Sequence, residues 1–207
     1  MTIATLPAGI LVQRQEFGVE NFDLEFGPSD SGATQIAVLG PPRWTCAMTS
    51  NEGLDGEQAA HWRALILSLA GRVNQLQVYD LLNSAPRGTL RAATMTSSLL
   101  VAAGSNSMTL NVGASQVGKT LLKGDWIGVN QSASNRQMLH VQADAVVSGT
   151  QIVVTFEPRL RIAVAAGSAV TWDKPSCLMR RNNQAVSWNS TGAVQNGFNV
   201  DLKEHWF

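Results

Sequence analysis

Gly113-Ala114-Ser115-Gln116-Val117-Gly118-Lys119-Thr120-Leu121-Leu122-Lys123-Gly124-Asp125 decides between two fold classes. Its first eight residues match the phosphate-loop pattern G-x-x-x-x-G-K-[S/T] residue for residue, and Ser107 to Val112 supplies a strand before it. In such a loop backbone N–H groups hold the phosphates, Lys119 reaches the outer ones and Thr120 binds magnesium. The loop must also open a helix, because the helix N-terminus supplies much of the anion site. Only Leu121, Leu122 and Lys123 separate Thr120 from the turn signal Gly124-Asp125, which is less than one turn of about 3.6 residues. A magnesium-binding Asp at the end of a second apolar strand is also required, and Asp144 follows Val141-Gln142-Ala143, which is not such a run. No alternation of strands and helices surrounds the loop to build a parallel sheet. Gly113 to Thr120 therefore reads as a β-turn between strands, with no cofactor and no metal expected.

The neighbouring sequence supports that reading. From about Thr89 to Val170 the chain is rich in Ala, Ser, Gly, Val and Thr. Short strand candidates recur at Leu99–Ala102, Ser107–Val112, Trp126–Val129, Met138–Ala143, Gln151–Phe156 and Arg161–Val164, with Gly104, Gly113, Gly118, Gly124, Gly149 and Gly167 at the turns. Strands this closely spaced predict a small β-barrel or sandwich. Before this region, Ile10–Gln15, Asn21–Phe26, Thr34–Leu39 (closed by Gly40-Pro41-Pro42) and Arg43–Thr49 read as strands. Phe22, Leu24 and Phe26 alternate there with Asp23 and Glu25. One helix is predicted at about 56–70. Asp55 with Gln58 three residues on forms a capping pattern, Ala59, Trp62, Leu65, Ile66 and Leu69 follow at helical spacing, and Gly71 suits a left-handed C-terminal position. Arg72–Leu81, Trp172–Arg181, Gln184–Asn189 and Gly197–Lys203 complete the strand candidates. The expected class is mainly β. A discontinuous sandwich-like domain of residues 1–90 plus 173–207 would carry the packed helix, and residues 91–172 would form an inserted β-barrel or sandwich domain.

Composition bears on function. Charged residues make up 14 % of the 207 residues, against about 25 % in an average soluble domain. A surface of Ser, Thr, Asn, Gln and Gly is cheaper to desolvate than a charged one, which suits a protein that packs against other subunits. Fifteen basic residues balance fifteen acidic ones, so no long-range field draws in nucleic acid or an anionic membrane. Arg180-Arg181 reads as a solvated pair at a strand end. Cys46 and Cys177 would pair only if the chain ends meet; the first residues resemble no signal peptide, so two buried, reduced thiols are expected. No apolar run reaches the length of a membrane span.

Other chemistry is sparse. His61, His140 and His205 have no metal-ligand spacing with each other or with the cysteines. His61 reads as a boundary residue of the helix and His140 as a satisfied sheet residue. Ser115 and Ser148 lie in turns but not in G-x-S-x-G. The acids are few, and Asp30, Asp55 and Asp125 fall in turns. No catalytic residue is assigned and no enzyme is expected. Trp44, Trp62 and Trp126 lie in periodic segments and read as core, Trp188 as a strand end. Trp206 and Phe207 should dock, either within the chain or on a partner.

Several segments occur in a telling order: Pro41-Pro42-Arg43-Trp44, the Gln- and Trp-containing helix ending Leu69-Ala70-Gly71, Arg72-Val73-Asn74-Gln75-Leu76, Tyr79-Asp80 and Ala85-Pro86-Arg87-Gly88-Thr89-Leu90. Gly118-Lys119-Thr120 to Trp126-Ile127, Glu157-Pro158-Arg159-Leu160-Arg161 and Phe198-Asn199-Val200-Asp201-Leu202-Lys203-Glu204 follow. In order and spacing this resembles tail proteins of tailed bacteriophages, of the distal-tail or baseplate kind. The resemblance implies a structural protein of the virion tail tip, made in the host cytoplasm, in a homo-oligomeric and commonly hexameric ring. Its partners would be the tail tube, tape-measure and hub or baseplate proteins. It carries over no catalytic residue, and it implies that Gly113 to Thr120 is a hairpin connection in the inserted domain. The alternative is a carbohydrate-binding β module of a phage or cell-surface assembly.

Overall fold

The computed structural model describes residues 2–7, 9–27, 32, 34–191 and 194–206; Asp30 and Phe207 lie outside them. In chain order the strands are β1 (Ile3–Thr5), β2 (Val12–Phe26), β3 (Gln35–Ser50), β4 (Gln75–Val78), β5 (Thr96–Ser97), β6 (Ser107–Asn111), β7 (Thr120–Leu121) and β8 (Trp126–Val129). They continue with β9 (Gln137–Val141), β10 (Ala145–Val146), β11 (Gln151–Glu157), β12 (Val170–Thr171), β13 (Cys177–Arg181), β14 (Ser190–Thr191), β15 (Val194–Gln195) and β16 (Asn199–Glu204). Helix α1 spans Gly56–Ser68. The protein is mainly β, sandwich-like in character.

The first sheet has the order β1-β4-β13-β16-β3-β2, so the chain's two ends supply it. All its pairings are antiparallel except β1 with β4. The helix begins where the sequence predicts: the Gln58 backbone N–H donates to Asp55 Oδ1 at 2.8 Å. It ends as Ala70 and Gly71 take positive φ. Its apolar stripe, Ala59, Trp62, Leu65, Ile66 and Leu69, forms one core with Met48, Leu76, Val78, Met179, Val200 and Leu202 of the sheet. Trp62 stacks on Phe198 with centroids 6.0 Å apart. Each such fully buried Leu or Ile contributes about 1.5–3 kcal/mol relative to exposure.

The second sheet, β12-β8-β9-β11-β6-β5, is built from residues between the two ends. It curls until β5 meets the start of β12, where Thr96 bridges Ala169 and Val170 N–H donates to Met95 carbonyl oxygen at 2.8 Å. The sheet is thus nearly closed into a barrel, which leaves little exposed strand edge. Ile152, Val154 and Phe156 of β11 alternate inward and meet Leu110, Ile127, Leu139 and Val141 in a second core. Trp126 and Met138, although on barrel strands, belong to the first core.

Several expected elements differ. The candidates Ile10–Gln15 and Asn21–Phe26 merge, from Val12 on, in one strand, β2, and Thr34–Leu39 and Arg43–Thr49 merge, from Gln35 on, in one strand, β3. Gly40-Pro41-Pro42 reads as a stop because proline cannot donate to a ladder. Here β3 pairs with β16 only over Thr45–Thr49. Over its first half β2 is the sole strand neighbour among the described residues, and the register steps from Glu20–Arg43 to Phe22–Gly40. The two prolines therefore sit in a bulge on an open edge, where proline is tolerated. Leu99–Ala102 and Arg161–Val164 reduce to a single bridge, Val101 with Val164. Gln184–Asn189 forms no strand.

Candidate assembly surface

The β2–β3 ribbon outgrows its sheet. Beyond Glu20 it continues to Phe26, six residues or about 20 Å at strand rise, with no further strand on either edge among the described residues. Residues directly opposite on an antiparallel pair share a face. One face of this arm carries Leu24 and Phe26 opposite Ala37 and Gln35, the other Asp23 and Glu25 opposite Val38 and Ile36. Both faces are in water: Val38 is 78 % exposed, Leu39 69 % and Ile36 65 %. Exposed apolar groups in a continuous patch mark an interaction surface, whereas scattered ones do not.

Beside a mixed-charge recess of about 590 Å³ lined by Glu16, Glu20, Asp201 and Lys203, two further concavities lie at the arm's root. One is an aromatic groove of about 440 Å³ between the ribbon and the barrel, with Phe17, Trp44, Trp126 and His140 as its aromatic rings and Asn21, Gln142 and Glu157 as its polar groups. Trp126 packs edge-on against Trp44 at 5.0 Å and against His140 at 4.7 Å. Both indole N–H groups are used internally, Trp44 Nε1 donating to Met138 carbonyl oxygen at 2.9 Å and Trp126 Nε1 to Asp80 Oδ2 at 3.0 Å. Burial lowers the His140 pKa below the ordinary imidazole value, which keeps the ring neutral at pH 7.

The other is a recess of about 260 Å³ lined by Arg43, Arg72, Arg180, Arg181 and Lys203, with Glu204 and His205 beside them. Arg43 and Lys203 both lie against the Phe22 ring, at 5.2 and 5.1 Å, and Lys203 is paired with Glu20. Arg181 is buried and donates to Ala185 carbonyl oxygen at 2.9 Å. The sequence reading of a solvated arginine pair is therefore corrected: the turn after β13 folds back over Arg181. Behind the recess Arg161 and Glu204 form an ion pair at 2.7 Å with side chains 7 % and 1 % exposed. Burial holds the Glu204 pKa above the ordinary carboxylate value, although Arg161 and the Trp44 N–H (2.9 Å from Oε2) pull it down.

The phosphate-loop segment opens no helix. Ala114–Gln116 forms a 3-10 turn and Thr120 enters β7. Its N–H groups are spent inside the protein: Gly118 donates to Val147 carbonyl oxygen at 3.1 Å, Lys119 to Gln116 carbonyl oxygen at 2.9 Å and Thr120 to Thr89 Oγ1 at 3.1 Å. The segment is not a hairpin connection, because β6 pairs with β5 and β11 while β7 pairs with β10.

Among the described residues no three His, Cys, Asp or Glu side chains gather as metal ligands. His61 lies 3.9 Å from Glu57 on the helix surface. Cys46 and Cys177 are free thiols in one core; burial pushes Cys46 up to about 12 and raises Cys177 further from reactivity. Trp62 and Trp126 are buried, while Trp188 is 40 % exposed. Trp206 docks within the chain, its ring 4.1 Å from the Arg161 guanidinium. Asp125 is more than a turn signal: its buried carboxylate accepts N–H groups of Arg87 (2.8 Å), Gly88 (3.2 Å) and Leu122 (2.7 Å). The arm, the groove and the recess have no local sequence motif; a deficit of basic residues along the arm is the only signal that marks one of them. No protein-family model matches the chain, and no curated protein matches it.

Proposed function

We propose that this chain is a structural subunit of a bacteriophage tail tip, acting by self-assembly into a ring that joins the tail tube to the hub and receptor-binding parts. The observation that carries the reading is the arm, a two-stranded ribbon with apolar side chains in water on both faces and open edges. An isolated two-stranded ribbon is marginal in water and an open edge invites pairing, so a partner that covers both gives the arm its function. The low charge of the surface suits repeated contacts around a ring axis. No step of chemistry is assigned to any residue. Sedimentation velocity over a concentration series, with micrographs of the largest species, tests the reading. Closed rings and binding to tail-tube or hub proteins are expected; a strict monomer at high concentration that binds neither would overturn it.

A second reading rests on the aromatic groove. Its size and its mix of rings, amide and carboxylate suit a small-molecule site, and aromatic faces with polar neighbours suit a sugar. Binding on a glycan array that is lost in Trp44→Ala would favour a carbohydrate module instead.

A further inference from the structure

The charges of this chain are segregated. Between residues 16 and 42 lie Glu16, Glu20, Asp23, Glu25 and Asp30 and no Lys or Arg, so all 15 basic residues fall outside the arm. Among the described residues no ion pair includes Asp23 or Glu25. The recess at the arm's root gathers five of the 15 basic residues.

We propose that the acidic arm of one copy docks in the cationic recess of the next copy, an inference that rests on the assembly reading above and names its contact. The contact has a template within each chain. Glu20 is already paired with Lys203, and Phe22 already lies against Arg43 and Lys203. Beyond them the tip carries the carboxylates Asp23 and Glu25 on one face and Phe26 on the other. Arg72 stands exposed at the recess, and among the described residues the Asn182 carbonyl oxygen is its one hydrogen-bond partner; a planar guanidinium suits a carboxylate. The second copy is the occupant because the arm and the recess are complementary in sign on a chain of zero net charge. Complementary charge sets register and excludes wrong partners.

Two charge-reversed variants test this: Asp23→Lys with Glu25→Lys on the arm, and Arg72→Glu with Arg180→Glu in the recess. Thermal unfolding first establishes that each is folded. Each alone should weaken self-association by about tenfold or more, as loss of close interfacial charge pairs does. An equimolar mixture should restore it, since the reversed arm then meets the reversed recess. Wild-type assemblies should also weaken between about 0.05 M and about 0.5 M NaCl, because partly exposed pairs are screened. Wild-type oligomers that persist in both variants would sink the docking and leave the assembly reading standing. Loss in both without rescue in the mixture would sink it too. A wild type that is monomeric throughout overturns the assembly reading itself.

Discussion

Asp125 shows how much a single buried carboxylate can organise. It gathers three backbone N–H groups from two separate turns, and the chain at Gly88 passes so close that an added Cβ would meet Thr120 carbonyl oxygen at 2.2 Å. Bonds to a charged acceptor are worth about 1.5–3 kcal/mol each, and stranding buried donors costs more than the mean. Asp125→Ala should therefore lower the free energy of unfolding by about 3 kcal/mol or more in urea titrations, and Gly88→Ala by about 1–3 kcal/mol through forced backbone shifts. Glu204 gives the opposite lesson. Its folded pKa lies above the unfolded value, so its contribution is fully present below the unfolded pKa near 4.5 and is lost as pH rises through the folded pKa. Glu204→Gln should match wild type near pH 4 and become the more stable protein toward pH 7, because desolvation outweighs the pairing with Arg161. Arg161→Met, which leaves the carboxylate alone, should cost about 3–5 kcal/mol at neutral pH. Parallel unfolding curves for wild type and Glu204→Gln across that range would contradict this account.

At the scale of elements, α1 is legible because its signals agree: cap, apolar spacing and left-handed terminus all point to one segment. β11 and β16 are legible for the same reason, with alternation matching burial. The arm is not. Its alternation of Phe22, Leu24 and Phe26 with Asp23 and Glu25 predicts a strand with one wet face, but both faces are wet, since nothing in periodicity says whether a sheet covers the apolar side. Gly40-Pro41-Pro42 hides the continuity of β3, because a bulge on an open edge has the same sequence as a turn. The phosphate-loop match fails for the reason visible in the sequence, the early Gly124-Asp125, although the connection it makes is between different sheets. Leu24→Ser, Ile36→Ser and Val38→Ser together remove apolar groups that are 46 %, 65 % and 78 % exposed, so the unfolding free energy should stay within about 0.5 kcal/mol of wild type, as for ordinary surface changes. Self-association in a concentration series should be lost. A large fall in stability would mean that these side chains pack on the body of the chain.

For the whole molecule, the two cores decide how the arm is held. The recess forms only when β3, β13 and β16 lie side by side, so its five cations, from four separate stretches of sequence, could not be read as one site. Their acidic counterpart is local and visible as a gap in the distribution of Lys and Arg. The barrel is joined to the first sheet at a seam where Trp126 enters the first core and its Nε1 donates to Asp80. Phe17 at the arm's base packs 6.1 Å from the same indole, so the seam also fixes the direction of the arm. Truncating a large buried aromatic costs about 3–5 kcal/mol. Because that loss falls on the joint between two cores, Trp126→Ala should do more than lower stability. In wild type, amides of α1 and of β11 should exchange with similar protection, as expected of one cooperative unit. In the variant the two sets should separate, and self-association should weaken although no residue of the arm tip or recess has changed. Protection that falls equally in both elements, with assembly intact, would place the coupling in the remaining contacts across the seam, the Trp44 indole on Met138 and the Arg161–Glu204 pair.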